Sequence, residues 1–272
     1  MNALKGIDIS KHNSGLNFKK LKSAGVDFVM IRAGYGGIVD PKLEAHVSGA
    51  KSAGMMVGFY WFCYATDAAG ARREAELCCR TIAKYKPELP IFHDFEYDTE
   101  RYAGTKGVKY TPKLRTDIIT AFCERVKDHG FGTGIYTNPD YWLYRLETDR
   151  LKEYNLWIAA YKRKDCKATF DSVPPSDLPP AYRNAMIWQP GKCRLPGGGI
   201  GDIDIDYGYG MKKQETKTYK VGDTYTIKED DIYTNGKPVP KRVVGRTYTI
   251  WQVKPDAILL KEIVSWVKTK KG

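Results

Sequence analysis

Two stretches of the chain repeat one another. LKSAGVDFVMIRAGYG begins at Leu21 and AKSAGMMVGFYWFCYA at Ala50. Each reads as the end of a helix, a glycine that stops it, and an apolar strand rich in β-branched and aromatic residues. Parallel strands need a crossover, so a repeated helix–glycine–strand unit implies a mainly parallel sheet with helices against it.

The same grammar continues along the chain. Strands are expected at residues 5–10, 28–33, 56–64, 89–98, 131–137, 155–161, 185–189 and 202–206. A short helix runs from Asn17 to Ala24, and Asp40-Pro41, Asp67 and Thr111-Pro112 are good starts for longer ones. Between residues 162 and 184 helical pattern gives way to Pro174, Pro175, Pro179 and Pro180. Eight strands with regular helices only in the first half predict an irregular, TIM-like (β/α) barrel over residues 1–210. Such barrels build their sites at the C-terminal ends of the strands.

The acids fall at those ends. LPIFHDFEYD, from Leu89 to Asp98, carries Asp94, Glu96 and Asp98 two apart, on the face of an extended strand shared with Phe92. Clustered carboxylates resist joint ionisation, which suits a pair of acids with separated pKa values. Asp8 ends the first strand and Asp204 lies in the last, DIDID, where Asp202 and Asp206 share its face. Barrel closure makes the first and last strands neighbours. Singly, each acid reads as a cap, a turn residue or a closure residue. Jointly they read as one mouth lined by Asp8, Asp94, Glu96 and Asp204. Tyr35, Tyr60, Tyr136, Trp157, Tyr161 and Trp188 gather at the same strand ends. Core packing explains about half of such aromatics; the remainder offer faces on which sugar rings stack.

Composition narrows the class. No apolar run reaches the roughly 18 residues of a membrane span, and MNALKGIDIS has no signal-peptide core. Synthesis in the cytoplasm without a secretion signal is expected, and no membrane insertion. The six Cys form no C-x-x-C and no metal-spaced cluster with His, so reduced, mostly buried thiols and no metal or cofactor are expected. The net charge of +12 favours a polyanion, and residues 211–272 carry +7 of it. No recognised nucleic-acid-binding motif accompanies that charge, so nucleic acid is not the expected partner.

GIDISKHN, GFYWF, the Asp94-Phe95-Glu96 triplet, IYTN, LWIAAY, Trp188-Gln189 and the closing GIGDIDID together resemble glycoside hydrolase family 25, over roughly residues 4–210. These are the muramidases (lysozymes) of phages and bacteria. The resemblance implies an irregular β/α barrel and hydrolysis of the β-1,4 bond from N-acetylmuramic acid to N-acetylglucosamine in peptidoglycan, without a cofactor. It places the family's D-x-E on Asp94 and Glu96, with Glu96 as general acid, its N-terminal acid on Asp8, its closing acid on Asp204 and its strand-three tyrosine on Tyr60. Gln189 joins the substrate-binding set through the Trp-Gln pair. The chain departs from the pattern at the second strand, where Arg32-Ala33-Gly34-Tyr35 replaces a run that ends in an acid, so Tyr35 is expected to line the groove. Asp94 has three open roles: nucleophile, activator of water, or orienter of the substrate's own acetamido group, the substrate-assisted route being favoured.

Residues 211–220 are polar and charged and read as a linker. Residues 221–272 hold short β-type runs around an Asn235-Gly236 hairpin signal. Their size and pattern resemble the SH3-like wall-binding modules of lysins, which implies attachment to the bacterial cell wall. The expected whole is an endolysin that reaches the wall after holin-type release. The rival expectation is a glycan-binding protein that uses the same groove without catalysis.

Overall fold

The structure, a computed structural model, describes residues 3–211, 219–254 and 256–269. The chain divides into two compact units, Met1–Lys213 and Gln214–Gly272. Most of the linker expected at 211–220 lies outside the described residues.

The first unit runs β1 (Leu4–Ile9), α1 (Phe18–Ser23), β2 (Phe28–Tyr35), β3 (Ile38–Val39), α2 (Leu43–Ser52), β4 (Met56–Phe62), α3 (Ala68–Ile82), β5 (Ile91–Asp94), α4 (Tyr97–Thr105), α5 (Pro112–Asp128), β6 (Thr133–Thr137), β7 (Asn155–Ala159), β8 (Ile187–Cys193) and β9 (Ile203–Gly208). Eight of these strands close into a barrel in the order β1-β9-β8-β7-β6-β5-β4-β2, and β2 returns to β1. The short β3 folds back on the end of β2. From β2 to β8 neighbouring barrel strands are parallel, but β9 is antiparallel to both β8 and β1. The β/α rhythm therefore breaks at the closing strand.

Period-two alternation divides the strand residues between two cores. Phe28, Met30, Tyr60, Phe92, Tyr136 and Trp157 fill the barrel interior. Val29, Ile31, Val57, Phe59 and Ile91 face outward against Ala71, Ala75 and Ile82 of α3 and Ile118 and Phe122 of α5. Each such buried side chain contributes about 1.5–3 kcal/mol over its exposed state. Gly134 sits where a Cβ would lie 2.5 Å from the Asn155 carbonyl oxygen and against the Phe92 ring, so only glycine lets β6 pass between β5 and β7. Around β7, β8 and β9 the outer layer is the proline-bearing segment instead of helices. Val173 and Tyr182 of that segment pack on Ile158, Trp188, Ile205 and Tyr207, and the Tyr207 hydroxyl lies 2.8 Å from the Phe170 and Val173 carbonyl oxygens.

The helices begin where their caps stand. Asp67 accepts the Gly70 N–H at 2.6 Å at the head of α3, and Thr111 accepts the Leu114 N–H at 3.1 Å at the head of α5. Asp40 behaves differently from the cap expected of it. Helix α2 starts at Leu43, and the buried Asp40 carboxylate takes the Lys42 and Lys11 backbone N–H groups, both at 3.0 Å, and Arg32 Nε at 2.9 Å.

The second unit is a four-stranded antiparallel sheet of β10 (Thr224–Thr226), β11 (Thr247–Lys254), β12 (Ala257–Leu260) and β13 (Ser265–Lys268). Tyr225, Ile227, Val243, Tyr248, Ile250, Ile258, Leu260 and Val267 form its own small core. At the expected hairpin signal, Gly236 takes a positive φ of 83°, and Asn235 accepts the Lys237 N–H at 3.0 Å.

Candidate active site

The acids reach the barrel mouth by three routes. Asp8 and Asp204 are direct partners across the β1–β9 seam. Asp94 is the last residue of β5 and pairs with Tyr136 of β6. The strand ends there, two residues short of Glu96. Glu96 is the N-cap of α4, a helix that alternation alone did not reveal, and its backbone N–H donates to Thr99 Oγ1 at 3.3 Å. Asp98 is consequently not a strand residue on the Asp94 face; it lies in the first turn of α4 and pairs with Arg101 at the exposed surface.

Electrostatics show that the four candidate acids share one space. Burial, then the charges of Asp204 and Asp206, hold the Asp8 carboxyl well above the ordinary carboxylate range, with Asp94 adding to the effect. Burial and the charge of Glu96 raise Asp94, opposed by the Arg32 guanidinium. Glu96 is raised by burial and by Asp204, while the nearby Tyr136 hydroxyl works in the other direction. Asp204 is raised by burial against the pull of Lys192. A set in which every acid is shifted toward its protonated form suits proton transfer.

Gln189 organises the floor. Its Nε2 donates to Asp8 Oδ2 at 2.7 Å, and its Oε1 accepts the Tyr136 and Tyr161 hydroxyls at 3.0 and 2.9 Å. One amide thereby fixes an acid and two phenols from three other strands or strand ends. Asp206 lies deeper, opposite Gly6, fully buried, and accepts the Trp157 indole N–H at 2.9 Å. Among the three acids of DIDID, Asp204 is thus the one level with Asp8, Asp206 lies beneath it, and Asp202 turns to Lys167 at 3.2 Å.

The aromatics separate by depth. Tyr60 and Tyr136 are each 8% exposed and present little more than an edge, whereas Trp157, at 1%, is floor without a free face. Tyr161 is 42% exposed beside Gln189. Tyr35 stands at the rim with the Lys11 ammonium 2.8 Å from its hydroxyl and Arg32 5.0 Å from its ring centre. Trp188 is not brought to the mouth: it is fully buried in the outer core and donates to the Ala160 carbonyl at 2.9 Å. Adjacent strand residues point to opposite faces, so Gln189 inside requires Trp188 outside.

Arg32 is the participant that the reading of the acids passed over. It is in register with Tyr60, its Nε is held by Asp40, its Nη2 is buried without a hydrogen-bond partner among the described residues, and its charge acts on Asp94. Phe28, Met30 and Arg32 alternate onto one face of β2, which is the signal that places this cation in the mouth.

Comparison with known proteins agrees with this geometry. The profile of glycosyl hydrolases family 25 matches residues 7–191. The chain belongs to that family. The matched span stops before β9, so Asp204 and Asp206 rest on the barrel closure and not on the family match. An autolytic lysozyme of Clostridium acetobutylicum is 28% identical over 159 residues, which are 58% of this chain and 45% of that protein; the chain thus matches under half the length of this curated relative. Two solved structures share the fold. The catalytic domain of an endolysin from a bacteriophage of Listeria monocytogenes gives a TM-score of 0.61 at 23% identity, covering 77% of this chain and 94% of that one. A family 25 glycosyl hydrolase from Bacillus anthracis gives 0.60 at 22%, covering 78% and 91%.

Proposed function

We propose that the chain is a peptidoglycan hydrolase of the muramidase type, cleaving the β-1,4 bond between N-acetylmuramic acid and N-acetylglucosamine. The supporting observation is the meeting of Asp8, Asp94, Glu96 and Asp204 over a floor tied together by Gln189. Glu96, whose carboxyl burial raises above its ordinary range, is the general acid of that set. It gives its proton to the leaving glycosidic oxygen as the C1–O bond breaks. Asp94, beside it, orients the acetamido group of the sugar, whose carbonyl oxygen closes onto C1 and supports the oxocarbenium-like centre. Water then adds at C1 as the bond to the acetamido oxygen breaks, and returns a proton to Glu96. Asp8 and Asp204, with Gln189, hold hydroxyls at the cleaved position. Tyr161 offers an exposed ring face, and Tyr35 a partly covered one beside Lys11 and Arg32.

The related autolytic lysozyme and phage endolysin support a role in lysis. We read the second unit as an SH3-like module that holds the enzyme to the anionic wall, and the whole as an endolysin released through a holin-type pore.

The decisive test is mass analysis of borohydride-reduced digests of purified peptidoglycan. New reducing ends on muramic acid are expected; reducing ends on glucosamine overturn the bond assignment. The absence of any new ends, with wall binding intact, selects the non-catalytic glycan binder instead.

A further inference from the structure

A second group of reactive side chains lies between the barrel and its helices, on the opposite side of β5 from the acids. His93 precedes Asp94 and so points outward, into the layer under α3 and α5. It is fully buried, its ring stacks on Phe122 with centroids 4.3 Å apart, and neither ring nitrogen has a hydrogen-bond partner among the described residues. Buried imidazoles ordinarily bond through at least one nitrogen. Cys63, the residue after β4, and Glu74, on the buried face of α3, converge on it. One donor atom from each of the three lies within 4.8 Å of the others. The second carboxylate oxygen of Glu74 is likewise buried and unpartnered, while the first accepts the Tyr64 N–H at 3.1 Å.

We propose that Cys63, Glu74 and His93 bind one divalent transition ion, zinc by preference. Sulfur, imidazole nitrogen and carboxylate oxygen form a mixed donor set that suits zinc and neighbouring ions, and that calcium and magnesium, which take oxygen, do not favour. The charges also balance: a thiolate and a carboxylate neutralise a divalent cation, which matters where no water screens them. The Cys63 thiol, and the Glu74 carboxyl where it carries a proton, pass those protons to solvent as the bonds to the metal form. Zinc–donor bonds of about 2.0–2.3 Å require the donors to draw together by up to about 1 Å, a movement within the reach of side-chain rotation. Three protein donors leave a fourth position for water. Glu74 also lines a cleft of about 400 Å³ with Gly36, Tyr64, Arg73 and Tyr102, which gives an ion its way in.

The ion would brace the catalytic strand. Cys63 N–H donates to the Asp94 carbonyl oxygen at 2.9 Å, and His93 is the residue next to Asp94. A bond from each to one metal fixes the ends of β4 and β5 behind the acid that they present.

The test uses the full chain, without a purification tag, stripped with a chelator and titrated with cobalt(II). The expected result is a saturable near-ultraviolet thiolate-to-cobalt band, with visible ligand-field bands of a tetrahedral site, complete at one equivalent and displaced by zinc. Cys63→Ser, shown to be folded by circular dichroism, loses the near-ultraviolet band, and zinc raises the melting temperature of the parent chain but not of this variant. Absence of the band, or its survival undiminished in Cys63→Ser, overturns the proposal. X-ray absorption on the zinc-loaded parent chain needs no variant: one sulfur in the inner shell supports the site, and a shell of nitrogen and oxygen alone overturns it.

Discussion

Glu96 and Asp206 are both buried acids of one cluster, yet their positions assign them different consequences. Glu96 at the mouth works only while it holds its proton. Its pKa is raised, by burial first and Asp204 second, so hydrolysis is expected to be full on the acid side and to fall as pH rises through that raised value. Glu96→Gln removes the proton donor and is expected to lower kcat about 10²- to 10⁴-fold, while sedimentation with purified walls stays unchanged. Asp206 lies under the site and its carboxyl is raised well above the ordinary range by burial and by Asp204. An unfolded chain releases that proton near pH 4, whereas the folded chain keeps it. The stability linked to this proton is therefore complete below about pH 4 and is lost as pH rises. Asp206→Asn keeps an acceptor for the Trp157 indole and removes the charge. Thermal melts at pH 8 should show the variant above the parent, and melts below about pH 4 should show them equal; a variant that melts lower at both pH values contradicts this account.

Elements written in strong local patterns were legible from the chain alone. Strands β2 and β4 follow a glycine stop with unbroken apolar runs, and α3 and α5 carry side-chain caps at the expected Asp67 and Thr111. The errors arose where one pattern covers two structures. Asp94-Phe95-Glu96-Tyr97-Asp98 alternates like a strand, but the chain must leave the barrel at the mouth, and Thr99 three residues after Glu96 supplies the cap that turns it into α4. Trp188 and Gln189 were both expected at the site, although neighbours on β8 cannot share a face. Asp40-Pro41 has the local pattern of a cap, whereas Arg32 and the Lys11 N–H, which the Asp40 carboxylate binds, are distant in sequence and leave no local signal. Close packing sets a separate limit at this scale. Gly134→Ala places a methyl group against the Asn155 carbonyl and Phe92, and urea denaturation is expected to show a loss of about 1–3 kcal/mol.

At the scale of the molecule, the barrel carries the acid set and the second unit has its own sheet and core. Each has the buried apolar centre that a domain needs to fold by itself. A chain ending at residue 211 is expected to fold and to cleave soluble glycan fragments at the rate of the full chain. On intact walls it should be slower, and the difference should shrink as salt rises, because residues 211–272 carry +7 of the +12 charge. Equal clearing of walls by both chains at low salt contradicts the targeting role. Among the described residues no helix is long and apolar enough to cross a membrane.

The antiparallel seam between β1 and β9 has a consequence in time. The strand that brings Asp204 opposite Asp8 is translated some two hundred residues after it. Until that late strand slots in between β1 and β8, the ring stays open and Asp8 lacks the acid that pairs with it. Completion of the acid set therefore coincides with the last stitch of the barrel.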